Sequence, residues 1–311
     1  MTESYEGLVL MGLIHPMAFP KCISGEGPIV ETLRTIAEDD FFSAVEVRRS
    51  LSHEVRDEVA RVIRESSLEP IVAGQPPLLI GKLNLNALSE TERASAVADV
   101  KASINEAYAI GARIVAVLSG PDPGENEREA ALGALARSLT EACEYAREKS
   151  GGADPVHISL ETFDTDVDKK CLVGPTDMAA KLIARVKESV GNVGLTVDLS
   201  HLPLLHETAE QMLVGAKDHL IHVHIGNAFT ALESDPAYGD QHPRFGYPGS
   251  LNGLPELVAF LRVLRQIGYF TAKVPTRKPV ISFEIKPTPG EDSALIIAGA
   301  KRVFKEAWAT A

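Results

Sequence analysis

Four stretches decide how this chain is read: His157-Ile-Ser-Leu-Glu161, Leu195-Thr-Val-Asp198, Ile221-His-Val-His224 and Ile281-Ser-Phe-Glu284. Each is rich in Leu or β-branched residues and too short for a buried helix, so each reads as a strand enclosed on both faces, as parallel strands are. Each also ends on a residue able to hold a metal. At one edge of a parallel sheet, Glu161, Asp198, His224 and Glu284 would offer three hard oxygens and one imidazole nitrogen. That set suits one divalent ion, Mn²⁺ first and Mg²⁺ or Co²⁺ after it, better than a structural zinc.

Outward from these runs, strand and helix alternate along the whole chain. Upstream lie the strand-like runs Leu8–Ile14, Ala44–Val47, Glu69–Ala73 and Ile114–Leu118. Helical stretches follow them at Gly27–Ala37, His53–Glu65, Ser89–Ile110 and Glu125–Lys149; Ser89 and Glu92 form a capping-box pattern, and Gly111 stops the third. Downstream, helices are expected at Thr176–Ser189, Thr208–Lys217, Leu254–Ile267 and Ser293–Trp308. Eight βα units without a composition break predict a single (β/α)8 TIM barrel over residues 1–311, with a doubly wound open sheet as the other arrangement.

With 311 residues, 45% hydrophobic and 24% charged, the chain suits one globular α/β barrel. A formal net charge of −12 argues against a nucleic-acid backbone as the main partner. It leaves room for a sugar substrate beside a bound cation. Cys22, Cys143 and Cys171 fall in no disulfide or metal spacing, which points to a reducing compartment, the cytoplasm. The opening Met1-Thr-Glu-Ser-Tyr-Glu is read as no signal peptide, and no run approaches the length of a membrane span.

The runs SLETFD, TVDLSH, HVHIGN and SFEIKP, from about Val156 to Pro287, resemble the Glu, Asp, His, Glu metal signature of the xylose isomerase-like TIM barrels, which include sugar isomerases and ketose 3-epimerases. The resemblance implies metal ligands at Glu161, Asp198, His224 and Glu284, and a substrate-binding histidine at His201. Two departures stand out. The epimerases have a further glutamate soon after the first ligand, where this chain reads Asp164-Thr-Asp-Val-Asp168; and residues 227–253 form a much longer, ring-rich segment that brings an arginine only at Arg244. That segment is similar to the α-subunits of C-glycoside deglycosidases, which release an aromatic aglycone from 3-oxo-sugars and work with a small β-sandwich partner.

All these readings share one first step. A metal-bound sugar carbonyl lowers the barrier to losing the neighbouring proton, and Glu161 and Glu284, on different strands, would take and return that proton as catalytic residues. Return gives an epimer or isomer, whereas loss of a β-substituent gives elimination. Elimination from 3-oxo-glycosides is the first expectation, with an epimerase or isomerase as the alternative and an oligomeric assembly expected. An endonuclease IV-like repair enzyme is a third reading, which the acidic charge opposes. His242 and Arg244 are candidate sugar or aglycone contacts, and His15, Lys286 and Gln75 are further candidates. His222 is either a hydrogen-bond partner behind His224 or barrel packing; His157 reads as a core histidine and Asp240 as a turn residue.

Overall fold

The computed structural model describes residues 3–311; Met1 and Thr2, the start of the stretch read as no signal peptide, lie outside them. Eight strands, β1 (Leu10–Leu13), β2 (Ala44–Arg48), β3 (Glu69–Ala73), β4 (Ile114–Leu118), β5 (His157–Glu161), β6 (Val193–Asp198), β7 (Leu220–Gly226) and β8 (Val280–Glu284), form one parallel sheet. Its order, β1-β8-β7-β6-β5-β4-β3-β2, brings the first strand back beside the second. There the ring is closed by a parallel bridge between Ile14 and Glu46 and by Ser43, whose Oγ accepts from the Met11 N–H at 3.0 Å. The result is a TIM barrel, with the open-sheet arrangement set aside.

Eight helices cover the outside: α1 (Ile29–Ala37), α2 (His53–Ser66), α3 (Glu90–Ile110), α4 (Arg128–Lys149), α5 (Thr176–Lys187), α6 (Ala209–Ala216), α7 (Leu254–Gln266) and α8 (Ser293–Thr310). They bury the outward strand residues, such as Val45, Val72, Val117, Leu160, Val197 and Phe283, in the main core. This is why the strands read as unbroken apolar runs rather than alternating ones. Gly111, at φ +82°, ends α3 as the sequence indicates, but Ser89 makes no side-chain cap bond. The first turn of α3 instead carries Glu90 and Glu92, which suit the positive end of the helix dipole, and Glu90 pairs with Arg93.

Several short helical turns, His15–Ala18 among them, occupy stretches that read as loop or strand. Tyr5–Leu8 precedes β1, which is shorter than the apolar run Leu8–Ile14; Gln75–Ile80 occupies the Gly-Gln-Pro-Pro stretch after β3; and His201–Leu204 follows β6. Pro at the start of Gln75–Ile80 fits a first helical turn, where its missing N–H is not needed. No helix among the described residues is long and apolar enough to cross a membrane.

Candidate metal centre and active site

Alternate residues of each strand point into the barrel, and the interior is layered accordingly. At the floor Leu10, Ala44, Ile71, Ile114 and Val280 form an apolar cluster. Above it the layer turns polar, with Ser159 and Thr196 hydroxyls 2.6 Å apart. Gly12 of β1 lies opposite Ser282 of β8, and a Cβ at Gly12 would collide with that side chain. At the C-terminal rim Glu161, Asp198, His224 and Glu284 converge, with one ligand atom from each lying within 4.8 Å of the others.

His224 organises this rim. Its Nδ1 is 3.2 Å from Glu161 Oε1 and 2.9 Å from Glu284 Oε2. Its Nε2 turns the other way, to 3.1 Å from Oε1 of Glu46. The same oxygen lies 2.7 Å from His222 Nε2, so one fully buried carboxylate from β2 holds both histidines of β7. His222 therefore bonds a partner behind the rim, and that partner, Glu46, is a site residue the sequence reading missed. A carboxylate inside an otherwise apolar buried strand was the available signal. Burial disfavours a charged imidazole at His224, yet Glu46 and Glu161 hold its pKa well above the usual value. Burial pushes the Glu284 carboxyl up to about 7 against the pull of His242 and His224.

The donor set fits a divalent cation. Glu161 and Asp198 are buried and Glu284 partly so, with the imidazole of His224 among them, and Asp198 Oδ2 has no hydrogen-bond partner while its Oδ1 accepts from the Ser200 N–H at 2.7 Å. Uncompensated carboxylates at such depth are costly, and a bound ion would compensate them.

A second polar group adjoins the first. His201 Nε2 and His242 Nε2 each lie 2.9 Å from the same oxygen of Asp240, which is therefore part of the site and not only a turn residue. Burial opposes a charge on either ring, yet Asp240 raises the pKa of His201 to about 10, and Glu284 together with Asp240 raises that of His242 to about 9. His242 adopts φ +50°, a strained backbone that places its ring beside Asp198 and Glu284. On the other side of Asp240, Lys169 Nζ is 3.4 Å from Oδ2 and 2.7 Å from Asp168.

The rim opens into a cavity of about 200 Å³. Its lining includes the polar Glu161, Glu284, His242, Lys169 and Lys286 and the apolar Met17, Ile23, Leu79 and Ile80. Gln75 also reaches it, donating from Nε2 to Glu161 Oε2 at 2.6 Å. Lys286 donates to Gln241 Oε1 at 2.8 Å and pairs with no ligand carboxylate. Three expected contacts do not line the cavity, and one of them, His201, is fully buried against Asp240. His15 turns away, its Nε2 2.7 Å from Thr32 Oγ1 beneath α1, and Arg244 is drawn outward by Glu291 at 2.7 Å and by the Gly246 carbonyl. Phe229 and Tyr247 pack edge to face on each other, Phe245 joins the main core, and no Phe or Tyr ring of residues 227–253 lines the pocket.

No curated protein sequence matches the chain significantly. Among solved structures, one described as a D-tagatose 3-epimerase-like protein superposes with a TM-score of 0.70 at 18% identity, over 97% of each chain. The IOLI protein with a bound zinc atom gives 0.71 at 17% identity, over 96% of this chain and 98% of that one. A 3-keto-D-glucoside 4-epimerase from E. coli gives 0.68 at 15% identity, over 96% and 99%. Identities this low speak for a common fold. The family model of the xylose isomerase-like TIM barrel matches residues 34–304, and the chain belongs to that family.

Proposed function

We propose that this protein is a metal-dependent sugar epimerase or isomerase that moves a proton at a carbon next to a carbonyl. The observation that carries the reading is the placing of two carboxylates, Glu161 on β5 and Glu284 on β8, both on the same pocket and both beside His224 Nδ1. A divalent ion held by Glu161, Asp198, His224 and Glu284, Mn²⁺ by preference, would act as a Lewis acid on the sugar carbonyl. Gln75 binds one oxygen of Glu161 and leaves the other directed at the rim, so Glu161 presents a fixed oxygen for proton removal. Glu284, from the strand beyond β6 and β7, is the group able to return the proton from another direction. The half-buried ammonium of Lys286 can balance negative charge on a substrate oxygen. Similarity to proteins described as epimerases of sugars and keto-sugars supports this class.

Elimination from 3-oxo-glycosides is a second reading that shares the first step. The apolar lining residues Met17, Ile23, Leu79 and Ile80 favour it, because an aglycone would need such contacts. A small partner subunit belongs to this reading.

The test is to incubate the Mn²⁺-loaded protein in deuterium oxide with free ketoses and with 3-oxo-glycosides. Deuterium at the carbon next to the carbonyl, with epimer or isomer formed, is the expected result. Aglycone release without epimer selects elimination, and no exchange with either class sinks both. Glu161→Gln and Glu284→Gln should each reduce exchange by about 100-fold or more while leaving the circular dichroism unchanged.

A further inference from the structure

Among the described residues three side-chain groups bring ligand atoms within 4.8 Å of one another; one, Glu46 with His222 and His224, is closed by its own hydrogen bonds, and the other two share Asp198 at this rim. Besides Glu161, Asp198, His224 and Glu284, the set Asp198, His201 and His242 also brings ligand atoms within 4.8 Å of one another. The Nδ1 atoms of His201 and His242 are buried without hydrogen-bond partners, as is Asp198 Oδ2. Taken alone, the second set would be a site for a second ion. Two features of this chain oppose it. Asp198 has only Oδ2 free, since Oδ1 is held by the Ser200 N–H, so two ions would have to share that oxygen as a bridge and would sit close enough to repel. And Asp240, the carboxylate that fixes both rings through one oxygen, already has a cation at its other oxygen, the ammonium of Lys169.

Lys169 is built into that place. Asp168 holds its Nζ at 2.7 Å, and the same Asp168 oxygen accepts from the Asp240 N–H at 3.1 Å and from Gln241 Nε2 at 3.3 Å. Gly239 lies so close that a side chain there would strike Asp168. The loop carrying Lys169 is wound around the fully buried Asp164, whose carboxylate accepts four successive backbone N–H groups, from Val167 to Lys170. The ammonium is thus fixed from both loops.

We propose that Lys169 is a built-in cation: it supplies to the His201, Asp240 and His242 half of the rim the positive charge a second metal ion would bring, and so limits the chain to one divalent ion. The inference rests on the metal centre of the proposed function and concerns its stoichiometry. The test is elemental analysis of the full chain after loading with excess Mn²⁺ and gel filtration, with electron paramagnetic resonance of the same samples. The wild type should hold one equivalent and give the signal of an isolated ion. Lys169→Met should hold two, with the broadened signal of coupled neighbours, and Lys169→Arg should stay at one. Two equivalents in the wild type, or one in a Lys169→Met protein with native circular dichroism, would overturn the proposal. If Lys169→Met does not fold, Lys169→Gln is measured in its place, and one equivalent in that variant would likewise overturn the proposal. No metal bound to the wild type would be a different failure, that of the metal centre itself.

Discussion

Glu46 lies in a strand buried on both faces, and a carboxylate is tolerated there only with partners in reach. Its two histidines supply them, and in return it fixes the ring of His224 so that Nδ1 faces the pocket. Carboxylates behind a metal-ligating histidine usually sustain its affinity, so Glu46→Gln is expected to weaken Mn²⁺ binding by about 10- to 100-fold. Chelator competition measures this, and an unchanged affinity would mean that barrel packing alone orients His224. His15 shows the opposite economy. Burial lowers its pKa to about 4, and its Nε2–H donates to Thr32 Oγ1, which in turn donates to the Pro28 carbonyl. A histidine whose folded pKa lies below the unfolded 6.5 adds stability that is fully present above pH 6.5 and is lost as the pH falls towards 4. The loss attributable to this one ring by pH 4 is about 3 kcal/mol. Urea titrations of the wild type and His15→Gln between pH 7 and 4 should therefore converge as the pH falls, and parallel curves would show that the ring is not buried neutral.

At the scale of elements, the site is made by loops pinned to strand ends. Asp164→Ala would leave the Val167, Asp168, Lys169 and Lys170 amides without their acceptor and release the segment that carries Lys169. Losing one such bond costs about 1–3 kcal/mol, so these amides should exchange hydrogen at least about tenfold faster, with the β5 amides unchanged. If β5 loosened equally, the loop and the barrel would be one cooperative unit. The same division explains what the sequence made legible. The strands ending on Glu161, Asp198, His224 and Glu284 were readable because burial on both faces leaves an apolar run in which a terminal polar residue stands out. Asp240 and Lys169 were not, since their roles arise from contacts across about 70 residues between two irregular loops, and no periodicity records such a contact. Arg244 and Lys286 share charge and rim position; the neighbours Glu291 and the Gly246 carbonyl turn one outward. His15 misled for a similar reason: its place after β1 is right for a rim residue, but the helical turn His15–Ala18 rotates the ring towards Thr32.

Closing eight strands into a ring forces their ends together whether or not those ends attract, and here three carboxylates meet in a buried rim. Without an ion that repulsion is offset only by the neighbouring histidines, in a chain of net charge −12. An ion that binds only the folded chain should stabilise it by about 2.7 kcal/mol at a hundredfold excess over Kd, which for a chain of this size raises Tm by roughly 5 °C. Scanning calorimetry with Mn²⁺ and with chelator measures the increment. Glu284→Gln separates the two contributions, since it removes one carboxylate and one ligand together. Its Tm in chelator should equal or exceed that of the wild type in chelator, because one buried charge is gone, while the increment with Mn²⁺ should largely disappear. A variant that melts several degrees below the wild type without metal would mean that Glu284 serves the barrel through its bonds to His224 and His242 and that the rim is not under electrostatic load. A variant that keeps the full increment would mean that the ion is held elsewhere.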